Sequence, residues 1–227
     1  MAEATKRYAV VTGSNRGLGY NAGIPGAIID GDALASFSAN AKFDWSKIGT
    51  ETYELAEECL KTNYYGAKRM IEALLPLLQL SDSSRIVNIS SSMGQFKGMK
   101  LNIPNEWAKG VLGDAERLTE ERVDEVLSEY QKDFKEGSLE TKGWPTYISA
   151  YIVSKAALNA YTRIVANKYP SFCVNCLCPG YVKTDINHNT GFLTIDEGAE
   201  GAVRLALLPN DGPSGLFFNR SEVSTFD

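Results

Sequence analysis

The pair best suited to acid–base chemistry is a tyrosine and a lysine four residues apart, Tyr151 and Lys155, in the run Tyr-Ile-Val-Ser-Lys. Residues at this spacing on a helix lie one above the other on the same face, so a phenol stands beside an ammonium. A neighbouring cation favours the phenolate, which predicts a tyrosine pKa drawn down from about 10 towards neutrality. Such a tyrosine can hand a proton to a carbonyl oxygen or take one from an alcohol. Two other places carry polar groups where chemistry is done. Ser90, Ser91 and Ser92 follow a short β-branched run, Arg-Ile-Val-Asn-Ile-Ser, at the strand end where open α/β sheets hold their ligands. Asn63 sits in the middle of a helical pattern, where a poor helix former marks either a kink tied to function or a tolerated substitution.

A phosphate-binding turn is the other chemical feature. Tyr8 to Val11 is a short apolar run that leads into Thr12-Gly13-Ser14-Asn15-Arg16-Gly17-Leu18-Gly19. Glycines at this spacing let backbone amides approach a pyrophosphate, and a following helix turns its positive N-terminus to it. The pattern then breaks. Tyr20, Asn21, Ala22, Gly23, Ile24, Pro25 and Gly26 follow at once, and two glycines and a proline so close together cannot extend a helix. Nor does a ribose-recognising residue appear about 20 positions on, after a second strand.

Elements to position these groups are legible along the rest of the chain. Thr50 to Leu80 reads as helix from the recurrence of Tyr53, Ala56, Leu60, Tyr64, Ala67, Ile71 and Leu74. The segment 95–144 is rich in charge. Within it Thr119 is an N-cap followed by Val123, Val126, Leu127, Tyr130 and Phe134, with Gly137 as the stop. This amphipathic helix either covers the surface of the sheet or docks a partner. The Tyr151 helix runs to about Lys168, and Phe172 to Leu177 is a second buried strand that ends in Cys178-Pro179-Gly180-Tyr181-Val182-Lys183-Thr184-Asp185. Thr194 with Glu197 makes a capping box, and 212–218 reads as a turn and a final strand.

Composition bounds the remaining classes. The 227 residues suffice for one core and predict a single domain. A net charge of −5 with no basic cluster argues against a nucleic-acid surface. No apolar run approaches the roughly 20 residues that span a bilayer, and the first residues lack the apolar core of a signal peptide. A cytoplasmic protein is expected. Cys173, Cys176 and Cys178 alternate along a strand and cannot converge on one ion, and His188 is the single histidine. Buried structural cysteines are expected, and no metal site.

The ordered set TGSNRGLG, NAG, TNYYG, VNISSS, YIVSK and CPGYVKTD resembles the short-chain dehydrogenase/reductase family, and within it the plant carbonyl-reductase branch with menthone-reductase-like and salutaridine-reductase-like members. The resemblance implies an α/β, Rossmann-like parallel sheet with flanking helices, truncated in its N-terminal half, plus a helical insertion at about 95–144. It implies NADPH-dependent reduction of a ketone or aldehyde. By motif, Tyr151 is the proton donor, and Lys155 lowers its pKa and holds the nicotinamide ribose. Ser91 polarises the carbonyl oxygen, Asn63 positions a water of the proton relay, and Asn88 is structural. Gly13, Ser14, Asn15, Arg16, Gly17, Leu18 and Gly19, then Asn21, Ala22 and Gly23, match the cofactor-binding motifs. Pro179, Gly180, Val182 and Thr184 match the loop at the nicotinamide end. Arg16 matches the basic position associated with the 2′-phosphate, hence NADP. The insertion implies a monomer, and the substrate class is a small carbonyl compound or alcohol.

One residue, Tyr20, stands where such proteins have a helix, two βα units and most of a fourth strand. A βαβ unit takes about 30 residues, so roughly 60 to 70 are absent, the adenosine-binding half among them. Two arrangements are open. The first strand slides into the vacant fourth position with the Ser–Tyr–Lys site assembled, or an uncovered edge leaves the chain poorly folded. A catalytically impaired form that binds only a substrate or partner is the alternative to a working reductase.

Overall fold

The structure is a computed structural model that describes residues 7–12, 23–35, 49–96 and 103–226. Its centre is a five-stranded sheet built from β1 (Arg7–Thr12), β4 (Ser83–Ile89), β5 (Cys173–Cys178), β6 (Phe217–Asn219) and β7 (Glu222–Ser224), in that spatial order. The first four strands run parallel and only β7 is antiparallel. A separate two-stranded ladder joins β2 (Ile28–Ile29) to β3 (Gly49–Thr50). β4 and β5 are buried along their whole length, as strands covered on both faces must be.

Helices cover the two faces unequally. On one face lie α2 (Tyr53–Leu60), α3 (Ala67–Leu78), α4 (Glu106–Gly113), α5 (Glu120–Lys135) and α6 (Ser149–Lys168), which share one core with Ile86 and Val174 of the sheet. On the other, α7 (Ile195–Ala206) sets Ala202 and Leu205 on Val87, Ile89, Leu177 and Phe218. Ile86 and Val87 fall into different cores because successive strand side chains point to opposite faces. The fold is the expected α/β, Rossmann-like sheet with flanking helices.

β1 pairs directly with β4 from Arg7↔Ser83 to Thr12↔Asn88, which is the first of the two arrangements left open. Side chains lock that register. Thr12 Oγ1 donates to Asn88 Oδ1 at 3.0 Å, and Asn88 Nδ2 donates to Thr162 Oγ1 of α6 at 2.9 Å. All three residues are buried, and each such bond contributes about 1 kcal/mol.

The cap residues lie where expected. Thr119 opens α5 by accepting from the Arg122 amide, and Thr194 and Glu197 form the capping box of α7. Gly137, just past α5, takes φ +67°, a left-handed conformation that glycine adopts without strain. Among the described residues, the sequence reading did not anticipate the five-residue helix α1 (Gly31–Ala35), the β2–β3 ladder, the helix α4 or the strand β7. All are short, and periodicity says little over so few residues. The helix expected from Thr50 to Leu80 is not uniform, since Lys61–Gly66 between α2 and α3 is wound as a π-helix.

Candidate active site

α6 carries Tyr151 and Lys155 in its first two turns. Lys155 is 1% exposed, its Nζ lies 5.5 Å from the Tyr151 ring centre, and that Nζ donates to the Ile89 carbonyl at 2.9 Å. Burial pulls the Lys155 ammonium down to about 8. Tyr151 is half-buried, with the Ser91 side chain near enough to its hydroxyl to favour the phenolate. The expected lowering of the tyrosine pKa is corrected here. Burial pushes Tyr151 above its ordinary value, and the Ser91 side chain offsets only part of that rise. Desolvation is the largest cause and outweighs what favours the phenolate.

The two serines at the end of β4 separate cleanly. Ser90 Oγ donates to Asn159 Oδ1 at 2.5 Å and lies 3.4 Å from the Lys155 carbonyl. Asn159 in turn donates to the Gly94 carbonyl at 3.1 Å. Ser90 therefore pins the strand end to α6. Ser91 caps a 3₁₀ turn, Ser92–Gly94, by accepting from the Met93 amide at 3.2 Å, and faces Tyr151. Gly94 makes this approach feasible, because a Cβ there would lie 2.6 Å from the Lys155 carbonyl carbon. Asn159 and Gly94 were not singled out from the sequence. Asn159 continues the helical face of Lys155 at i+4, and that was the available signal.

Asn63 lies inside the π-helical stretch, a local widening often found at functional sites. Its amide is fully engaged. Oδ1 accepts from the Ile24 amide at 2.8 Å, and Nδ2 donates to the Ile24 carbonyl at 3.0 Å, Cys59 Sγ at 3.1 Å and Ser154 Oγ at 3.0 Å. Ser154 then donates to the Tyr151 carbonyl at 2.8 Å. The side chain thus clamps residues 23–24 against α6. A Cβ on Gly23 would fall 2.5 Å from Asn63 Oδ1, so the last residue of the NAG motif is a glycine because Asn63 needs the room. Cys59, which sequence reasoning passed over, joins the clamp by donating to the Ile24 carbonyl at 3.2 Å, and burial pushes its thiol up to about 12.

β5 ends one strand over, and the Ser90 amide donates to the Leu177 carbonyl at 2.7 Å. The loop that follows holds Pro179, Gly180, Val182 and Thr184. Gly180 takes φ +87°, Val182 bridges to Leu193, and Thr184 is buried with its amide bound to Asn187 Oδ1 at 3.2 Å. Cys178 at its root follows Leu177, so the Ser90 bond sets the start of this loop beside the end of β4. Cys173, Cys176 and Cys178 are buried free thiols.

Gly13, Ser14, Asn15, Arg16, Gly17, Leu18, Gly19, Asn21 and Ala22 lie outside the described residues, and Gly23 alone of the two glycine-rich motifs is described. The donors at the ends of β4 and β5 suit a nicotinamide and its ribose: a serine hydroxyl, a phenol, a lysine and a polar loop. Among the described residues no strand lies beyond β1 to form the second wall of a dinucleotide crevice. Among them, too, no helix is long and apolar enough to cross a membrane.

No family model matches the chain. Relatives with known names do. A (+)-neomenthol dehydrogenase of Arabidopsis thaliana is 59% identical over 207 residues, which are 91% of this chain and 69% of that protein. "Short-chain dehydrogenase/reductase 1" of Saponaria officinalis is 57% identical over 209 residues, 91% of this chain and 68% of that protein. Among solved structures, salutaridine reductase from Papaver somniferum superposes with a TM-score of 0.80 at 49% identity, covering 93% of this chain and 71% of the other.

Proposed function

Since this chain belongs to the short-chain dehydrogenase/reductase family, and by that family is an oxidoreductase, we propose that it reduces a ketone or aldehyde with NADPH and that Tyr151 supplies the proton. The observation that carries the reading is the contact of Ser91 with Tyr151, one helical turn from Lys155, at the carboxyl ends of β4 and β5. NADPH, when bound, would supply the hydride for the carbonyl carbon. Ser91 donates to the carbonyl oxygen and so stabilises the negative charge that develops there. The Tyr151 phenol, held protonated at neutral pH by its burial, gives its proton to that oxygen as the alcohol forms. The raised pKa suits reduction better than oxidation, which needs the phenolate. Lys155, one turn on from Tyr151, would hold the nicotinamide ribose, and Asn63 holds the 23–24 segment against α6.

Pro179, Gly180, Val182 and Thr184 would hold the nicotinamide end, with Gly23 and the rest of the two glycine-rich motifs on the phosphate side. Arg16 would pair with the 2′-phosphate. The chain acts as a single-domain monomer in the cytoplasm, with its helical insertion, α4 and α5, packed over α2 and α6. The substrate is a small alicyclic or polycyclic carbonyl compound, a class supported by the names of the relatives, one of which acts on neomenthol and another on salutaridine.

A second reading is a form without turnover. One titration separates the two. The purified chain is titrated with NADPH and followed by cofactor fluorescence, then given alicyclic ketones. Micromolar binding with ketone-dependent NADPH consumption is expected. No binding up to millimolar cofactor would overturn the reductase reading.

A further inference from the structure

α6 begins without a cap of its own. The residue before its first turn, Ile148, is left-handed (φ +34°) and makes no side-chain hydrogen bond to the helix, so the first amides lack a local acceptor. A distant carboxylate fills the place. Ser149 Oγ donates to Glu51 Oε2 at 2.9 Å, and the backbone amides of Ser149 and Ala150 favour the charged form of the same carboxylate. Tyr130 of α5 completes the chain with its hydroxyl 2.6 Å from Ser149 Oγ. Because the Ser149 proton goes to Glu51, Tyr130 is the donor.

Glu51 is costly to keep there. Its Oε1 is shielded from solvent and has no hydrogen-bond partner among the described residues, and desolvation raises its pKa against the pull of Ser149 and the two amides. An acidic group at a helix N-terminus offsets such a cost through the macrodipole. Its location is the informative part. Glu51 precedes Thr52, the N-cap of α2, so it ties the start of the helix that leads to Asn63 to the start of the helix that bears Tyr151, two residues past Ser149.

We propose that Glu51, through Ser149 and Tyr130, is a positioning residue that pins the first turn of α6 and sets the Tyr151 ring against Ser91. The inference rests on the reading of Tyr151 as the proton donor. It also gives the insertion a part in the site, because Tyr130 belongs to α5.

The test compares the full chain with Glu51→Ala, Glu51→Gln, Ser149→Ala and Tyr130→Phe. Hydrogen exchange is read at residues 149–151, and the Tyr151 ring signal is read in tyrosine-labelled protein, assigned through Tyr151→Phe. Glu51→Ala should speed exchange about five- to tenfold, the factor that matches loss of a helix N-cap, and should shift the Tyr151 signal while Tyr8 and Tyr169 stay. Glu51→Gln, which keeps an acceptor, should recover much of both. In an active preparation kcat should fall with the KM for NADPH held within about twofold, as expected when only transition-state geometry is lost. Unchanged exchange would overturn the proposal, as would faster exchange with an unmoved Tyr151 signal, which would reduce Glu51 to a structural cap. An inactive wild-type chain would refute the reductase reading and leave this inference to the exchange and ring-signal results. If Glu51→Ala does not fold, Ser149→Ala, which removes the bond to Glu51, carries the same readouts.

Discussion

Replacing Lys155 by methionine should change how stability depends on pH, and the size of the effect follows from the burial of this side chain. The folded chain holds the ammonium at about 8 against 10.5 in an exposed lysine. Between those values the unfolded chain binds more protons than the folded one, so stability rises with pH across the window. Below pH 8 both forms carry the proton and the charge counts fully against the fold. Linkage from pH 7 to 9.5 integrates to about 2 kcal/mol for a group with these two values. The upper limit of 9.5 keeps clear of the tyrosines, which titrate near 10 once unfolded and reverse the slope. Methionine removes the titration but also the 2.9 Å bond to the Ile89 carbonyl, a loss of about 1–3 kcal/mol that does not vary with pH. The assay is urea unfolding of both proteins at several pH values. Relative to Lys155→Met, the wild type should gain roughly 2 kcal/mol between pH 7 and 9.5. A difference that stays constant over that window would refute the account of Lys155 as a buried, depressed lysine.

Three further outcomes are expected. Tyr151→Phe should lower carbonyl reduction by about 10²- to 10⁴-fold with the far-UV spectrum and the NADPH affinity retained; because burial raises the phenol, wild-type reduction should stay flat with pH through neutrality while alcohol oxidation climbs towards alkaline pH. Gly94→Ala sets a methyl 2.6 Å from the Lys155 carbonyl carbon and must push the Ser91 turn off α6. Thermal unfolding should register a cost of about 1–3 kcal/mol, together with a loss of turnover larger than any change in NADPH binding. Arg16→Ala should narrow the preference for NADPH over NADH in direct titrations, and an unchanged ratio would remove Arg16 from the 2′-phosphate position.

The Tyr151–Lys155 pair, the serines at the strand end and the capping residues were legible in the sequence because each depends on a spacing of a few residues. Tyr151 and Lys155 share a helical face by geometry alone, and Thr194 with Glu197 closes a box within one turn. Local patterns of this kind carry their own physics, and so do the alternating cores around β4 and β5. What stayed out of reach depends on contacts between distant segments. No spacing pairs Glu51 with Ser149, Asn63 with Ile24, or Thr12 with Asn88, because each bond exists only once separate elements have packed. The motif set Ser91 apart from Ser90, but the physical difference between them lies in the tertiary structure, where Asn159 claims the first and Ser91 is left beside Tyr151. Even the sign of the tyrosine shift did. Sequence puts a cation beside the phenol, but only the folded chain determines how much water both groups lose, and here that desolvation lowers Lys155 and raises Tyr151.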